Sequence, residues 1–123
     1  MELQKLNGEF SICKVESMAQ LDNLGDIVFV AKTADETSIV CETAYVPPKC
    51  MAVDNGWSAL KIMGILDFGL VGIVAKISNI LADAKVSIFV VSTFNTDYIL
   101  VKSENFEKAS QALTGEGYTI TTP

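Results

Sequence analysis

The sequence predicts an α+β fold whose second half is a ferredoxin-like βαββαβ unit. Three observations carry this reading. Leu70, Ile73, Val74, Ile77, Ile80, Leu81 and Ala84 form a helical i, i+3, i+4, i+7 stripe between two apolar runs. Val86 to Val91 and Asp97 to Val101 read as two strands joined by a short polar turn. Phe106, Ala109 and Leu113 then mark a second amphipathic helix, and Tyr118-Thr119-Ile120-Thr121 closes as a strand.

Taken in order, Phe10-Ser11-Ile12-Cys13-Lys14-Val15 alternates as a half-buried strand does. Ser17 to Gly25 is polar and holds either one helical turn or a loop. Ile27 to Ala31 is a short run of β-formers, and Thr37 to Cys41 is its expected hairpin partner across Ala34-Asp35-Glu36. Pro47-Pro48 forbids ladder donation and is read as the connection between two halves. Met51-Ala52-Val53 reads as a short strand closed by an Asp54-Asn55-Gly56 turn. Trp57 to Leu66 is the next strand. Val86 to Val91 is apolar on both faces and is expected to lie centrally in the sheet. Ser103 is the expected N-cap of a helix from Glu104 to Leu113, ended by Gly115 and Gly117. Both helices are expected on one face of the sheet. No clear sequence repeat links the two halves.

Composition narrows the function. The chain has 123 residues, half of them apolar, enough for one compact core or two small fused units. With 9 basic and 15 acidic residues its net charge is −6, which argues against nucleic acid and anionic membranes as partners. Histidine is absent, removing the usual proton shuttle and the commonest metal ligand. Cys13, Cys41 and Cys50 have neither CxxC spacing nor an even count, so they read as reduced thiols of a cytoplasmic protein. No signal peptide or spanning helix is expected. There is no nucleophile–base pair and no phosphate-cradling loop, so neither an enzyme nor a cofactor or metal is expected.

The chemistry concentrates in two places. The first is Asp67-Phe68-Gly69-Leu70-Val71-Gly72, leading into the helix. Gly72 either packs helix against sheet or lets a ligand approach first-turn amides that favour an anion. Asp67 either caps the helix or meets a ligand ammonium. Phe68 and Trp57 are either core or pocket wall. The second is Ser92-Thr93-Phe94-Asn95-Thr96-Asp97, a hydroxyl-rich turn ending in a carboxylate. Asp97 needs a partner if buried, whether a ligand amine, Lys102 or backbone amides. Phe94 is either a core lid or a pocket wall. A βαββαβ plan brings this turn close to the start of the first helix. Lys61, Lys76 and Lys85 read as solvated.

At Gly72-Ile73-Val74-Ala75…Ile77…Ile80-Leu81-Ala82…Val86-Ser87-Ile88 the chain resembles ACT domains, small βαββαβ modules that bind amino acids. Leu66 to Ile73, taken with Ser92 to Val101, is similar to one group in particular. These are small tandem ACT proteins related to the CASTOR-type arginine sensors. The resemblance is strongest from Trp57 to Val101, and Phe29 to Thr33 and Thr37 to Glu42 resemble the N-terminal partner segment. It implies an abbreviated ACT-like unit over residues 1–50 and a complete ACT domain over 51–123. It also implies a non-catalytic regulatory role, with an amino acid held at an ACT–ACT interface against Asp67, Phe68, Gly72, Ile73, Thr93, Phe94 and Asp97. The chain departs from the family in having Val71-Gly72 for the usual proline–glycine pair and Ala84-Lys85 where a glycine is usual. Its length is about half that of the CASTOR sensors, so the expected partners are an amino acid, a second copy completing a homodimer, and a regulatory target protein. The alternative is a ligand-independent interaction module, using sheet edges or an apolar helix face.

Overall fold

The computed structural model describes residues 1–64 and 71–123. Asp67, Phe68 and the first position of the helical stripe, Leu70, lie outside the described residues. The described residues hold eight strands and two α-helices: β1 (Glu2–Lys5), β2 (Phe10–Val15), β3 (Val28–Lys32), β4 (Thr37–Glu42), β5 (Ala52–Ile62), α1 (Ile73–Asp83), β6 (Ile88–Ser92), β7 (Asp97–Lys102), α2 (Phe106–Gly115) and β8 (Thr119–Thr121). Two compact units result, Gly8–Trp57 and Met1–Asn7 with Ser58–Pro123. The division falls inside β5.

In the N-terminal unit β3 pairs β4, β4 pairs β2, and β2 pairs the first part of β5, all antiparallel. The expected β3–β4 hairpin is present. The polar stretch from Ser17 forms a single 3-10 turn, Met18–Gln20, capped by the Ser17 hydroxyl at 3.3 Å from the Ala19 amide. The expected Asp54-Asn55-Gly56 turn is absent. The chain runs on as strand, and a register shift against β2 absorbs an extra residue between Asp54 and Trp57, where Gly56 takes φ 82°. The core of this unit is Cys13, Val15, Leu24, Ile39 and Cys41.

In the C-terminal unit β5 lies between β1 and β7, β1 pairs β8 in parallel, and β7 pairs β6. The βαββαβ plan is thus observed as β5-α1-β6-β7-α2-β8, with β1 inserted beside β5. That insertion is invisible in Glu2-Leu3-Gln4-Lys5, which carries one apolar residue in four. Its strand state comes from the two neighbours that pair with it. Leu60, Ile62, Ile99 and Val101 pack with Ile77 and Leu81 of α1 and Ala109 and Leu113 of α2 in one cluster, so both helices cover the same face.

Two further element readings are corrected. β6 does not lie centrally: among the described residues it pairs β7 alone, and Val90 is 36% exposed. Its uniform apolarity reflects hydrophobic residues tolerated at an edge. Ser103 does not cap α2. It opens a 3-10 turn, Ser103–Asn105, and its hydroxyl pairs with that of Ser58 at 2.9 Å.

Both units repeat one local construction. Phe10-Ser11 on β2 matches Trp57-Ser58 on β5, and each serine hydroxyl pairs at 2.9 Å with a hydroxyl just after a hairpin, Thr43 in one unit and Ser103 in the other. The hairpin turns match as well. The Thr33 amide donates to Glu36 O at 2.9 Å, and the Thr93 amide to Thr96 O at 2.8 Å. Ile39 and Ile99 occupy equivalent, fully buried positions two residues into β4 and β7.

Candidate functional site

Gly72 is the N-cap of α1, in the left-handed region at φ 79°, with no side-chain cap on the helix. The usual Ser, Thr or Asp cap is replaced by glycine, and among the described residues no side chain caps the helix N-terminus. Among the described residues, a Cβ at Gly72 would meet nothing within 4 Å. Close packing against the sheet therefore does not explain this glycine; its backbone conformation does.

A cavity of about 270 Å³ opens at this helix start, lined by Met1, Val71, Gly72, Ile73, Lys76, Glu116, Gly117 and Tyr118. Lys76 stands one turn along α1, where its amide bonds to Gly72 O at 2.9 Å. Glu116 and Gly117 come from the loop between α2 and β8. The wall thus carries a cationic and an anionic residue beside the N-terminus of α1, which suits a zwitterion. The sequence reads Lys76 as solvated and does not single out Glu116. The signal available was the βαββαβ plan itself, which carries the α2–β8 loop to the end of the sheet where α1 begins.

The hydroxyl-rich turn is built by its own side chains. Thr93 Oγ1 donates to Thr96 O at 3.0 Å and accepts from the Thr96 amide at 3.3 Å. Buried Thr96 donates through Oγ1 to Ile62 O at 2.7 Å, fastening the turn to the end of β5. Thr93 is exposed and its hydroxyl serves the turn; Phe94 is 80% exposed, so it is not a core lid. Asp97 begins β7, half-buried and in register with Ser92. The loop from β5 toward α1 also leaves from Ile62, and the Met63 amide bonds to Glu2 O at 3.0 Å. The starts of β1, β7 and β8 therefore share one end of this sheet with the end of β5. Of the seven candidate residues, Gly72 and Ile73 line the cavity described here, Thr93, Phe94 and Asp97 are not in its wall, and Asp67 and Phe68 lie outside the described residues.

Among the described residues no group of three or more His, Cys, Asp or Glu is arranged to hold a metal ion, and no helix is long and apolar enough to cross a membrane.

A family model described as the ACT domain matches residues 52–115. Among solved structures, a structural-genomics protein from Agobacterium tumefaciens is similar at 36% identity and a TM-score of 0.87, covering 99% of this chain and 92% of that one. The regulatory subunit of aspartate kinase from Thermus thermophilus, in a ligand-free form, is similar at 9% identity and a TM-score of 0.65, covering 92% of this chain and 95% of that one. Aspartate kinase from Clostridium acetobutylicum, described as an allosteric enzyme, covers 92% of this chain and 33% of its own at 14% identity and a TM-score of 0.64. The two kinase likenesses show the fold alone. No curated protein sequence matches the chain.

Proposed function

Because the chain belongs to the ACT-domain family, we propose that it is a non-catalytic regulatory protein that binds a free amino acid at the loop end of its C-terminal unit. The observation that carries this reading is the left-handed glycine start of α1 at Gly72, opening into a cavity flanked by Lys76 and Glu116. Amides of the first helical turn hold the ligand carboxylate, with Lys76 adding positive charge. The ligand ammonium meets a carboxylate, Glu116 or Asp97. The cavity falls a little below the roughly 300–1,000 Å³ of sites for drug-sized ligands, which favours something smaller.

Asp67, Phe68, Thr93 and Phe94 complete the proposed set, with a second copy of the chain closing the site as a homodimer. The edge strand β6, with its exposed Val90, is the surface that supports pairing between copies. Residues 1–50 then act as an abbreviated ACT-like repeat that lends β1 to the sheet of the complete domain, 51–123, in a cytoplasmic sensor of the CASTOR type. The repeated serine–hydroxyl pair and hairpin turn support this division. Ligand and regulatory partner are coupled through the packing of ACT units, which requires different ligand affinity in two states.

A thermal-shift screen of the common amino acids at millimolar concentration tests the reading. Ligand at 100 times its dissociation constant adds about 2.7 kcal/mol of stability. One amino acid, or a few of similar shape, should raise the melting temperature, and Asp97→Ala should weaken that response while melting normally without ligand. A flat response across all amino acids contradicts binding and favours the ligand-independent interaction module. An unchanged response in Asp97→Ala removes Asp97 from the site.

A further inference from the structure

The N-terminal unit contains a thiol cluster that amino-acid binding leaves unused. Cys13 on β2 and Cys41 on β4 are both buried, on neighbouring strands and two residues out of register. They share one apolar cluster with Val15, Leu24 and Ile39, and Cys50 packs against it from the loop after Pro47-Pro48. Burial, followed by the nearby Cys50 and Cys41 sulfurs, pushes the Cys13 thiol up to about 12. Burial also raises Cys41.

Cys50 is placed differently. It is half-buried, and its Sγ donates to Pro47 O at 3.1 Å. The residues that follow Cys50 and Cys13 are tied directly, the Met51 amide donating to Lys14 O at 2.8 Å. This bond fastens the chain just after Cys50 to β2 one residue beyond Cys13, and Cys50, packed against the same cluster, is the member that solvent can reach.

We propose that Cys50 and Cys13 are a redox modification site, forming a reversible disulfide when the protein meets hydrogen peroxide. The Cys50 thiolate attacks one peroxide oxygen, the O–O bond breaks, and the departing hydroxide takes up a proton as water, leaving a sulfenic acid. The Cys13 sulfur attacks that sulfenic sulfur and gives up its proton, the S–O bond breaks, and a second water leaves as the S–S bond forms. Two thiols lose two electrons and one peroxide becomes two waters. Cys41 lies on β4, on the far side of β2 from the segment that carries Cys50 into β5, and stays reduced. Lys49, next to Cys50, belongs with Asp22, Tyr45 and Pro47 to the wall of an open cavity of about 460 Å³. The disulfide anchors that wall to β2.

The test is peptide mapping of the full chain without reduction, after peroxide treatment and alkylation. The expected result is a Cys13–Cys50 cross-linked peptide, loss of two of the three thiols, their recovery with dithiothreitol, and Cys41 alkylated throughout. Cys50→Ser, checked for folding by circular dichroism, should keep its two remaining thiols through the same treatment. A Cys13–Cys41 link in either protein overturns the proposal. So does Cys50 advancing to the sulfinic acid with no cross-link.

Discussion

The two helices of the C-terminal unit end with the same hydrogen bonds on different residues. After α2 the Gly117 amide bonds to Thr114 O and the Tyr118 amide to Leu113 O, both at 3.1 Å; after α1 the Lys85 amide bonds to Ala82 O and the Val86 amide to Leu81 O, both at 2.9 Å. This is a Schellman end in each case, and it places Gly117 at φ 95° and Lys85 at φ 65°. Glycine adopts that conformation freely, whereas a side chain there costs roughly 1–2 kcal/mol. Lys85→Gly should therefore stabilise the protein by about 1 kcal/mol in urea unfolding; a loss of stability contradicts the strain assigned to Lys85. Gly72 differs from Gly25, although both have positive φ. A Cβ at Gly25 would lie 2.8 Å from the Tyr45 ring, while one at Gly72 meets nothing within 4 Å among the described residues. Gly25 is fixed by its neighbours, and Gly72 by backbone conformation alone.

At the scale of elements, the hydrophobic periods locate most of the fold. The α1 stripe predicts Ile77 and Leu81 as core, and both are fully buried between strands and α2. Leu81→Ala should cost about 2–5 kcal/mol, read as a lower urea midpoint with unchanged slope. A cost below 1 kcal/mol contradicts the packing of α1 onto the sheet. Where the sequence misleads, tertiary pairing decides. β1 is polar, yet it forms because β5 and β8 both pair with it. β6 is apolar on both faces, yet it sits at an edge, and apolarity alone does not distinguish an edge from a centre. The 54–56 segment looks like a turn because Asn-Gly usually is one, yet β5 runs through it on a bulge at Gly56. The candidate site was legible where a glycine must begin a helix. It was not legible at Lys76 and Glu116, which are ordinary charges until the topology gathers the start of α1 and the α2–β8 loop.

At the scale of the molecule, the proposed ACT-like repeat ties together features that composition leaves unconnected. Ser11 with Thr43 and Ser58 with Ser103 are the same device used twice, and the Thr33 and Thr93 turns are another. The sequence hides this because the N-terminal unit has 3-10 turns and prolines where the C-terminal unit has α1 and α2. The helices also account for the cavity, which depends on the N-terminus of α1 and the loop after α2. Amino-acid binding at that end is the central claim, and an amide NMR titration of uniformly labelled protein with the stabilising amino acid tests it most directly. The account predicts saturable shifts at Gly72, Ile73 and Gly117 and in the Thr93–Asp97 turn. Shifts confined to the Tyr45–Lys49 region of the N-terminal unit, or no shifts with any amino acid, would contradict it.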